Sequence, residues 1–135
     1  MRCGHKASSP EQDRAIASGG MALGPYSTFD VPVEGGSLHV GRWGDGPRIV
    51  IAAHGITGNH RSWQSVARVL DPSISLVAPD LRGRGISNQL PEPFGMRAHA
   101  ADLIAVLDNL GVERTVLVGH SMGAYVATSA ATIYP

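Results

Sequence analysis

The sequence predicts an α/β protein, with a mostly parallel sheet and flanking helices. Three short, largely β-branched apolar runs recur along the chain, at residues 48–53, 73–79 and 115–119. Continuously apolar strands of this kind are typical of a sheet that is covered on both faces. Segments with helical spacing of apolar residues separate the runs, and this alternation indicates βαβ units.

The strands can be assigned in order. Tyr26–Val33 and Ser37–Trp43 are predicted strands, and the sequence EGG between them predicts a hairpin turn. The buried strands that follow are Arg48–Ala53, Ser73–Pro79 and Thr115–Gly119. Ligands of such sheets bind beyond the carboxyl ends of the strands. We therefore expect the loops that begin at His54, Asp80 and Ser121 to share one edge.

Three helices are predicted between and after these strands. The first covers Ser62–Leu70, with Ser62 as its N-cap. The second covers Met96–Leu110 and ends at Gly111, a typical C-terminal stop. The third is the alanine-rich segment from residue 122 to residue 134.

Length and composition restrict the classes of protein that fit. A chain of 135 residues, 43% hydrophobic and 16% charged, holds at most one domain and can bury a core. The formal net charge is zero and no basic stripe stands out, which argues against nucleic-acid binding. No apolar run approaches the roughly 18 residues needed to cross a bilayer. Cys3 is the only cysteine, so no internal disulfide is expected.

The first part of the chain differs in composition from the rest. Residues 1–24 are polar and rich in Gly and Ser, and we expect a flexible leader there before a folded domain over residues 25–135. Met21 is an alternative start to Met1. The leader lacks the apolar core of a secretory signal, so a cytoplasmic location is expected.

A candidate nucleophile lies where the last strand meets the last helix. Gly119-His120-Ser121-Met122-Gly123 matches G-x-S-x-G in the strand–turn–helix context that this motif requires. A sharp turn of this kind strains its central residue, and flanking glycines leave room for it. The turn lifts the Ser121 hydroxyl above the sheet at a helix N-terminus, which favours developing negative charge. We interpret Ser121 as a nucleophile rather than as a plain N-cap.

The loop after the first buried strand supplies a candidate oxyanion hole. Its sequence is His54-Gly55-Ile56-Thr57-Gly58. The backbone N–H groups of Ile56 and Met122 are predicted to converge on one carbonyl oxygen, and losing such a donor costs roughly 3 kcal/mol of barrier. We expect His54 to hold this loop in place. The alternative is an ordinary βα turn.

These loops together resemble the α/β-hydrolase superfamily over about residues 26–135. The resemblance rests on HGITGN, PDLRGRGIS and VGHSMGA, which follow successive strands in the family's order and spacing. The second sequence matches the family's D-x-R-G-x-G-x-S loop at every position. The resemblance implies structural roles for the five residues of that loop: Asp80, Arg82, Gly83, Gly85 and Ser87. The implied fold is the N-terminal portion of an α/β-hydrolase domain.

The resemblance also implies a chemistry. The family's catalytic triad runs in the order Ser, Asp or Glu, His, and Ser121 matches the nucleophile. A serine here, not an aspartate, argues against the dehalogenase and epoxide-hydrolase branches. We expect hydrolysis of an ester or related acyl bond in a small-molecule substrate, with no metal and no organic cofactor.

The implied acid and base are missing after the nucleophile. Residues 122–135 contain no Asp, Glu or His. Asp102 and Asp108 are expected on the solvated side of their helix, so neither is an obvious triad acid. An isolated serine is a weak nucleophile, and the chain is therefore expected to be inactive alone.

No other histidine is a clear substitute for the base. We expect His120 to point away from Ser121 and to pack or hydrogen-bond locally. His60 is expected to face the pocket with nothing to fix its tautomer. The remaining histidines, His5, His39 and His99, are expected at the surface or in strands. His54 and His60 also lack a third ligand at metal-binding spacing.

The strand that leads to Ser121 is expected to form an exposed apolar edge, because the family places further strands beyond it. Apolar edges invite pairing with other chains. We therefore expect the chain alone to be marginally stable, molten or self-associating through this edge.

Three hypotheses remain open at this stage. The chain is part of an enzyme whose C-terminal part lies outside it, through truncation, a frameshift or a split gene. Alternatively, it is a catalytically dead remnant that at most binds a small ligand or a protein. A nucleotide-binding module is the third hypothesis, and it is disfavoured because neither G-x-G-x-x-G nor a Walker loop is present.

Overall fold

The computed structural model describes residues 24–135, and all but the last residue of the predicted leader lies outside the described residues. The described part contains one five-stranded sheet. Its strands are β1 (Tyr26–Val33), β2 (Gly36–Trp43), β3 (Arg48–Ala53), β4 (Ile74–Pro79) and β5 (Val116–Gly119). The helices are α1 (Gln64–Ala67), α2 (Met96–Leu110) and α3 (Met122–Ile133). Two 3-10 helical turns cover His60–Trp63 and Gly85–Gln89.

The sheet is mixed, and its order is β1-β2-β4-β3-β5. The strands β4, β3 and β5 are parallel neighbours, whereas the β1–β2 hairpin pairs antiparallel and joins β4 through β2. The predicted α/β fold class is confirmed. The carboxyl ends of β3, β4 and β5 meet at one edge because these three strands run in the same direction.

The core lies in two layers, one on each face of the sheet. Alternate strand residues face opposite sides, so Ile51 and Ala53 join one cluster while Ala52 joins the other. The larger layer packs α2 and α3 against the sheet, and the smaller layer packs the segment around Trp63 on the opposite face. Both faces of β3 and β4 are therefore covered, as their continuous apolar sequences predict.

Helix α2 has the predicted bounds. Gly111 follows it with φ 67°, a left-handed conformation that ends the helix, and its N–H reaches the Asp108 carbonyl oxygen at 3.1 Å. Leu103, Val106 and Leu107 are buried against the sheet. The apolar spacing predicts Leu103, Ile104, Leu107 and Leu110 on the buried face; Leu103 and Leu107 are buried, whereas Ile104 and Leu110 are only partly buried.

The predicted helix over residues 62–70 is wrong in its start and its length. Asn59, not Ser62, is the N-cap: its side chain accepts a hydrogen bond from the Arg61 N–H at 2.9 Å. The Ser62 hydroxyl accepts from the Asn59 N–H at 3.3 Å and completes a capping box. The segment begins as a 3-10 turn and is α-helical only over Gln64–Ala67. Because Asn59 caps it, the observed N-cap lies three residues before the predicted one.

Asp102 is not on a solvated face, which corrects the prediction for this residue. Its carboxylate is buried and binds the Arg82 guanidinium through two hydrogen bonds, to Nε at 2.9 Å and to Nη2 at 2.8 Å. Arg82 also donates to the Pro91 carbonyl oxygen at 3.2 Å. This forked ion pair ties the loop after β4 to helix α2. Asp108 is exposed, as expected.

Strand β5 lies at an edge of the sheet, with β3 as its only strand partner among residues 24–135. Val116 and Val118 are 61% and 37% exposed. The apolar edge follows the prediction, while self-association through it stays a prediction. In residues 24–135, no helix combines the length and the apolar character that crossing a bilayer requires.

Replacing Asp102 by Asn should destabilise the fold, because the buried Arg82 charge would lose its partner. Breaking a buried ion pair from one side costs about 3–5 kcal/mol. Urea unfolding followed by circular dichroism measures the change. The matched control is Asp108→Asn, an exposed site on the same helix, where we expect a change within about 0.5 kcal/mol. Equal effects of the two substitutions would contradict a structural role for the ion pair.

Candidate active site

Ser121 has a strained backbone conformation at the turn between β5 and α3. Its φ of 53° and ψ of −119° make it the only non-glycine residue with positive φ in the described part of the chain. Such conformations cost about 1–3 kcal/mol and persist where the surroundings impose them. The residue is exposed, and it is the N-cap of α3 without a side-chain capping bond. Its hydroxyl is therefore not engaged in capping the helix.

Two close backbone contacts impose this turn. A Cβ at Gly119 would overlap the backbone of Gly123, and a Cβ at Gly123 would overlap the carbonyl group of Ala53. Helix α3 thus begins directly against the end of β3. The His120 N–H also donates to the Ala53 carbonyl oxygen at 3.0 Å, which extends the ladder between β3 and β5 into the turn.

The loop after β3 lies beside Ser121. A Cβ placed on Gly55 would be 3.5 Å from the Ser121 Cβ and 3.1 Å from the His120 Nδ1. The N–H groups of Ile56 and Met122 donate to no acceptor within residues 24–135. Two free backbone donors therefore flank the serine, one on the loop and one at the start of α3.

His54 fixes the peptide group that carries the Ile56 N–H. The Leu81 N–H donates to His54 Nε2 at 2.9 Å, so Nδ1 carries the proton and donates to the Gly55 carbonyl oxygen at 2.6 Å. The Gly58 N–H donates to the same oxygen at 2.9 Å. The Gly55 carbonyl and the Ile56 N–H belong to the same trans peptide group and point in opposite directions. The bonds that hold the carbonyl oxygen therefore also fix the direction of the Ile56 N–H. Burial lowers the pKa of His54, which keeps the ring neutral.

Asp80 anchors a second part of the site. Its carboxylate accepts hydrogen bonds from the His60 N–H at 2.6 Å, the His60 Nδ1 at 2.7 Å and the Ile86 N–H at 2.8 Å. Burial disfavours the charged carboxylate, but these donors outweigh burial and lower the pKa of Asp80 to about 2. The geometry gives Asp80 a structural role in joining the loops after β3 and β4.

The expectation that nothing fixes the His60 tautomer is wrong. Its Nδ1 faces Asp80, and its Nε2 lies 2.9 Å from the Tyr26 hydroxyl, so both ring nitrogens are engaged. The ring is buried and packs beside Trp43. His60 therefore fastens strand β1 to the loop after β4, and its lone pair does not face Ser121.

The other matches to the D-x-R-G-x-G-x-S pattern are also structural. Gly83 and Gly85 have φ of 81° and 53°, and Gly85 lies against the Asp80 carboxylate with no room for a Cβ. The buried Ser87 hydroxyl accepts a hydrogen bond from the His39 N–H at 2.9 Å. The pattern thus folds the loop back onto β2 and α2.

His99 corrects another expectation, since it is neither at the surface nor in a strand. It lies in α2 with its side chain fully buried, and neither ring nitrogen has a hydrogen-bond partner in the described structure. Burial lowers the pKa of His99; the negative charge of Asp102 opposes this, and the positive charges of Arg84 and Arg82 add to it. His39 is on β2 and pairs with Asp30.

A cleft of about 490 Å³ lies beside the turn, between the loop after β3 and strand β5. Its lining includes His54, Gly55, Trp63, Gly119 and the exposed His120. No group of three His, Cys, Asp or Glu side chains in residues 24–135 could hold a metal ion. The arrangement can stabilise negative charge beside a serine through backbone donors.

The sequence did not predict the roles of two residues near the site, Arg84 and Tyr26. Arg84 donates from Nε to the Ile56 carbonyl oxygen at 3.3 Å and from Nη1 to the Arg82 carbonyl oxygen at 3.0 Å. Tyr26 holds His60, as described above. A basic residue between two loop glycines was the available signal for Arg84, whereas nothing in a strand sequence marks Tyr26 as a partner of a distant histidine.

A family model of the alpha/beta hydrolase fold matches residues 48–135. The lipase LipV of Mycobacterium tuberculosis is 42% identical over 99 residues, which span 73% of this chain and 37% of that protein. Epoxide hydrolase 2 of Siraitia grosvenorii is 35% identical over 100 residues, which span 72% of this chain and 31% of that protein. The chain thus spans about a third of the length of these curated relatives.

Solved structures with the same arrangement also match. An epoxide hydrolase of Vigna radiata superposes with a TM-score of 0.74 at 32% identity, covering 82% of this chain and 36% of that one. A thioesterase domain from the curacin biosynthetic pathway gives a TM-score of 0.74 at 31% identity, covering 82% of this chain and 41% of that one. Both likenesses extend over most of the described residues.

Gly123→Ala should destabilise the turn, because its methyl group would overlap the Ala53 carbonyl. Overpacking of this kind costs about 1–3 kcal/mol, and rigid backbone on both sides places this site at the upper end. Thermal and urea unfolding measure the loss. At the control site, Gly95→Ala, a Cβ meets no atom within 4 Å. At Gly95 we expect the free energy of unfolding to fall by less than about 1 kcal/mol. A similar loss of stability at both glycines would contradict the steric account.

The fold should lose stability as the pH falls below 6.5, the ordinary pKa of histidine. His54 and His99 have lowered pKa values in the folded state, so the unfolded chain binds protons first. Each contributes a loss of up to about 1.4 kcal/mol per pH unit until its folded pKa is reached. His99→Leu should flatten this dependence without abolishing it, since His54 still titrates.

Urea midpoints measured between about pH 7.5 and about pH 5 test this dependence. A His99→Leu slope as steep as that of the unmodified chain would show that His99 does not contribute.

Proposed function

This chain belongs to the α/β-hydrolase fold family, and from that premise we propose that it carries the nucleophile and oxyanion hole of a serine hydrolase. The substrate class is an ester or a related acyl bond of a small molecule. One observation carries the proposal: Ser121 is held at positive φ between two unpaired backbone N–H groups, those of Ile56 and Met122.

The chemistry follows from this placement. The Ser121 Oγ attacks the carbonyl carbon of the substrate, and the carbonyl oxygen becomes an oxyanion. The Ile56 and Met122 N–H groups donate to that oxygen, and the N-terminal end of α3 adds a favourable dipole. Because His54 holds the Gly55 carbonyl, the Ile56 donor needs no reorientation during the reaction.

The proton of Ser121 needs an acceptor, and four of the five histidines in residues 24–135 are not placed to provide it; the fifth, His120, precedes Ser121 in the sharp turn, where we expect neighbouring side chains to point apart. His54 and His60 have both ring nitrogens engaged, His99 is buried within the core, and His39 pairs with Asp30. Residues 122–135 contain no Asp, Glu or His. We assign the triad acid and base to polypeptide outside residues 24–135, in keeping with the chain spanning about a third of its curated relatives.

Ser121 favours acyl chemistry over epoxide opening. The similar proteins include a lipase and epoxide hydrolases by name. A serine alkoxide forms an acyl intermediate that water can hydrolyse, whereas the ether that would form by attack on an epoxide has no comparable route to release. Ester hydrolysis is therefore the activity that the nucleophile supports best.

A fluorophosphonate probe should label Ser121 in the 135-residue chain slowly, because the base lies outside it, but selectively, because of the two oxyanion donors. Its phosphoryl oxygen takes the oxyanion position, and such stabilisation contributes about 100-fold or more in rate. We expect labelling of Ser121 at least about 100-fold faster than labelling of other exposed serines. Mass spectrometry of tryptic peptides locates the adduct.

Two serine variants test whether the probe reacts with Ser121. Ser121→Ala should abolish the label, whereas Ser129→Ala, on the same helix, should keep it. Labelling of Ser121 no faster than that of other exposed serines, or labelling that Ser121→Ala does not reduce, would overturn the proposal and favour a catalytically inactive binding module.

A further inference from the structure

Arg84 occupies a fixed position beside the proposed oxyanion loop. The residue is half-buried, and its guanidinium donates to two backbone carbonyl oxygens, those of Ile56 at 3.3 Å and Arg82 at 3.0 Å. Ile56 is also the residue whose N–H is the proposed oxyanion donor. Two bonds to rigid backbone hold the side chain in place before any ligand arrives, and the Nη2 group makes no hydrogen bond within residues 24–135.

The charge of Arg84 is not neutralised by nearby carboxylates. Asp102 is committed to Arg82, and Asp80 accepts from His60 and Ile86. No carboxylate in residues 24–135 forms an ion pair with Arg84. The edge that carries Ser121 therefore also carries an arginine that forms no ion pair within residues 24–135.

Exposed apolar side chains lie on the two loops that Arg84 joins. Ile56, whose carbonyl Arg84 holds, is 58% exposed, and Ile86, two residues after Arg84, is 58% exposed. Phe94 is 40% exposed and its ring packs against Gly83, with 3.1 Å between a ring carbon and the position of a Cβ there. A cation among apolar side chains matches a ligand that combines an apolar chain with an anionic group.

We propose that Arg84 is a specificity-determining residue that selects acyl substrates bearing a carboxylate. This inference rests on the proposed function, because it takes Ser121 as the attacking group. The ester carbonyl lies at Ser121, the apolar chain runs along Ile56, and the carboxylate accepts from the free Nη2 of Arg84. An arginine fork suits a planar carboxylate, and partial burial strengthens the attraction relative to open solvent.

The test is a titration of the ¹⁵N-labelled 135-residue chain, followed by amide chemical shifts. The probes are monoethyl glutarate, which is anionic at neutral pH, and diethyl glutarate, which has the same chain without charge. We expect the monoester to shift the Ile56 and Arg84 amides and to bind at least about tenfold more tightly than the diester, the range of a hydrogen bond to a charged group. Binding should weaken as salt rises.

Substitutions at Arg84 test whether this side chain causes the preference for the monoester. Arg84→Gln should remove the preference for the monoester, so that the two esters bind with similar affinity, and Arg84→Lys should keep part of it. The control is Arg97→Gln, which removes an exposed arginine of α2 and should leave the preference intact. If Arg84→Gln does not fold, the comparison of the two esters on the unmodified chain and on Arg84→Lys still decides.

Equal binding of the two esters, or a monoester preference that survives Arg84→Gln, would overturn the proposal. Absence of any monoester-induced shift would overturn it as well. Fluorophosphonate labelling of the same samples separates this failure from that of the proposed function. Selective labelling of Ser121 without a monoester preference rejects the role of Arg84 alone. A monoester preference with Ser121 labelled no faster than other exposed serines rejects the proposed function and leaves an anion-binding site.

Discussion

The strained turn at Ser121 is the constraint on which the rest of the site depends. Helix α3 can begin against the end of β3 only because Gly119 and Gly123 have no Cβ, and that approach forces Ser121 to a φ of 53°. The parallel pairing of β3 with β5 brings both strand ends to the same level. Strain of about 1–3 kcal/mol is therefore stored at the residue that would perform the chemistry, and the surrounding backbone maintains it.

Buried polar groups fasten the loops around this turn. His54 connects the loop after β3 to the Leu81 N–H, and Asp80 connects the loop after β4 to His60. Arg82 and Asp102 attach the same loop to helix α2. Each of these groups would be costly if unpaired in the interior, so the contacts hold a unique arrangement of loops rather than merely adding stability.

Most of the fold and the outline of the site could be predicted from the sequence. Apolar runs located β3, and helical spacing with Gly111 located α2, because burial periodicity and capping are local properties. The sequence predictions were wrong where the burial or orientation of a side chain depends on a partner that is distant in the chain. Asp102 is buried because Arg82 reaches it from a loop, and His60 is held by Asp80 and Tyr26, which lie 20 and 34 residues away.

The central claim is that Ser121, Ile56 and Met122 form one oxyanion site, and amide proton shifts of the phosphonylated chain test it most directly. In a ¹⁵N-labelled sample carrying a phosphonyl group on Ser121, the account predicts that the Ile56 and Met122 amide protons both move downfield, because each donates to the phosphoryl oxygen. An adduct that leaves both amide protons in place, or moves only one of them, would contradict a site with two converging donors.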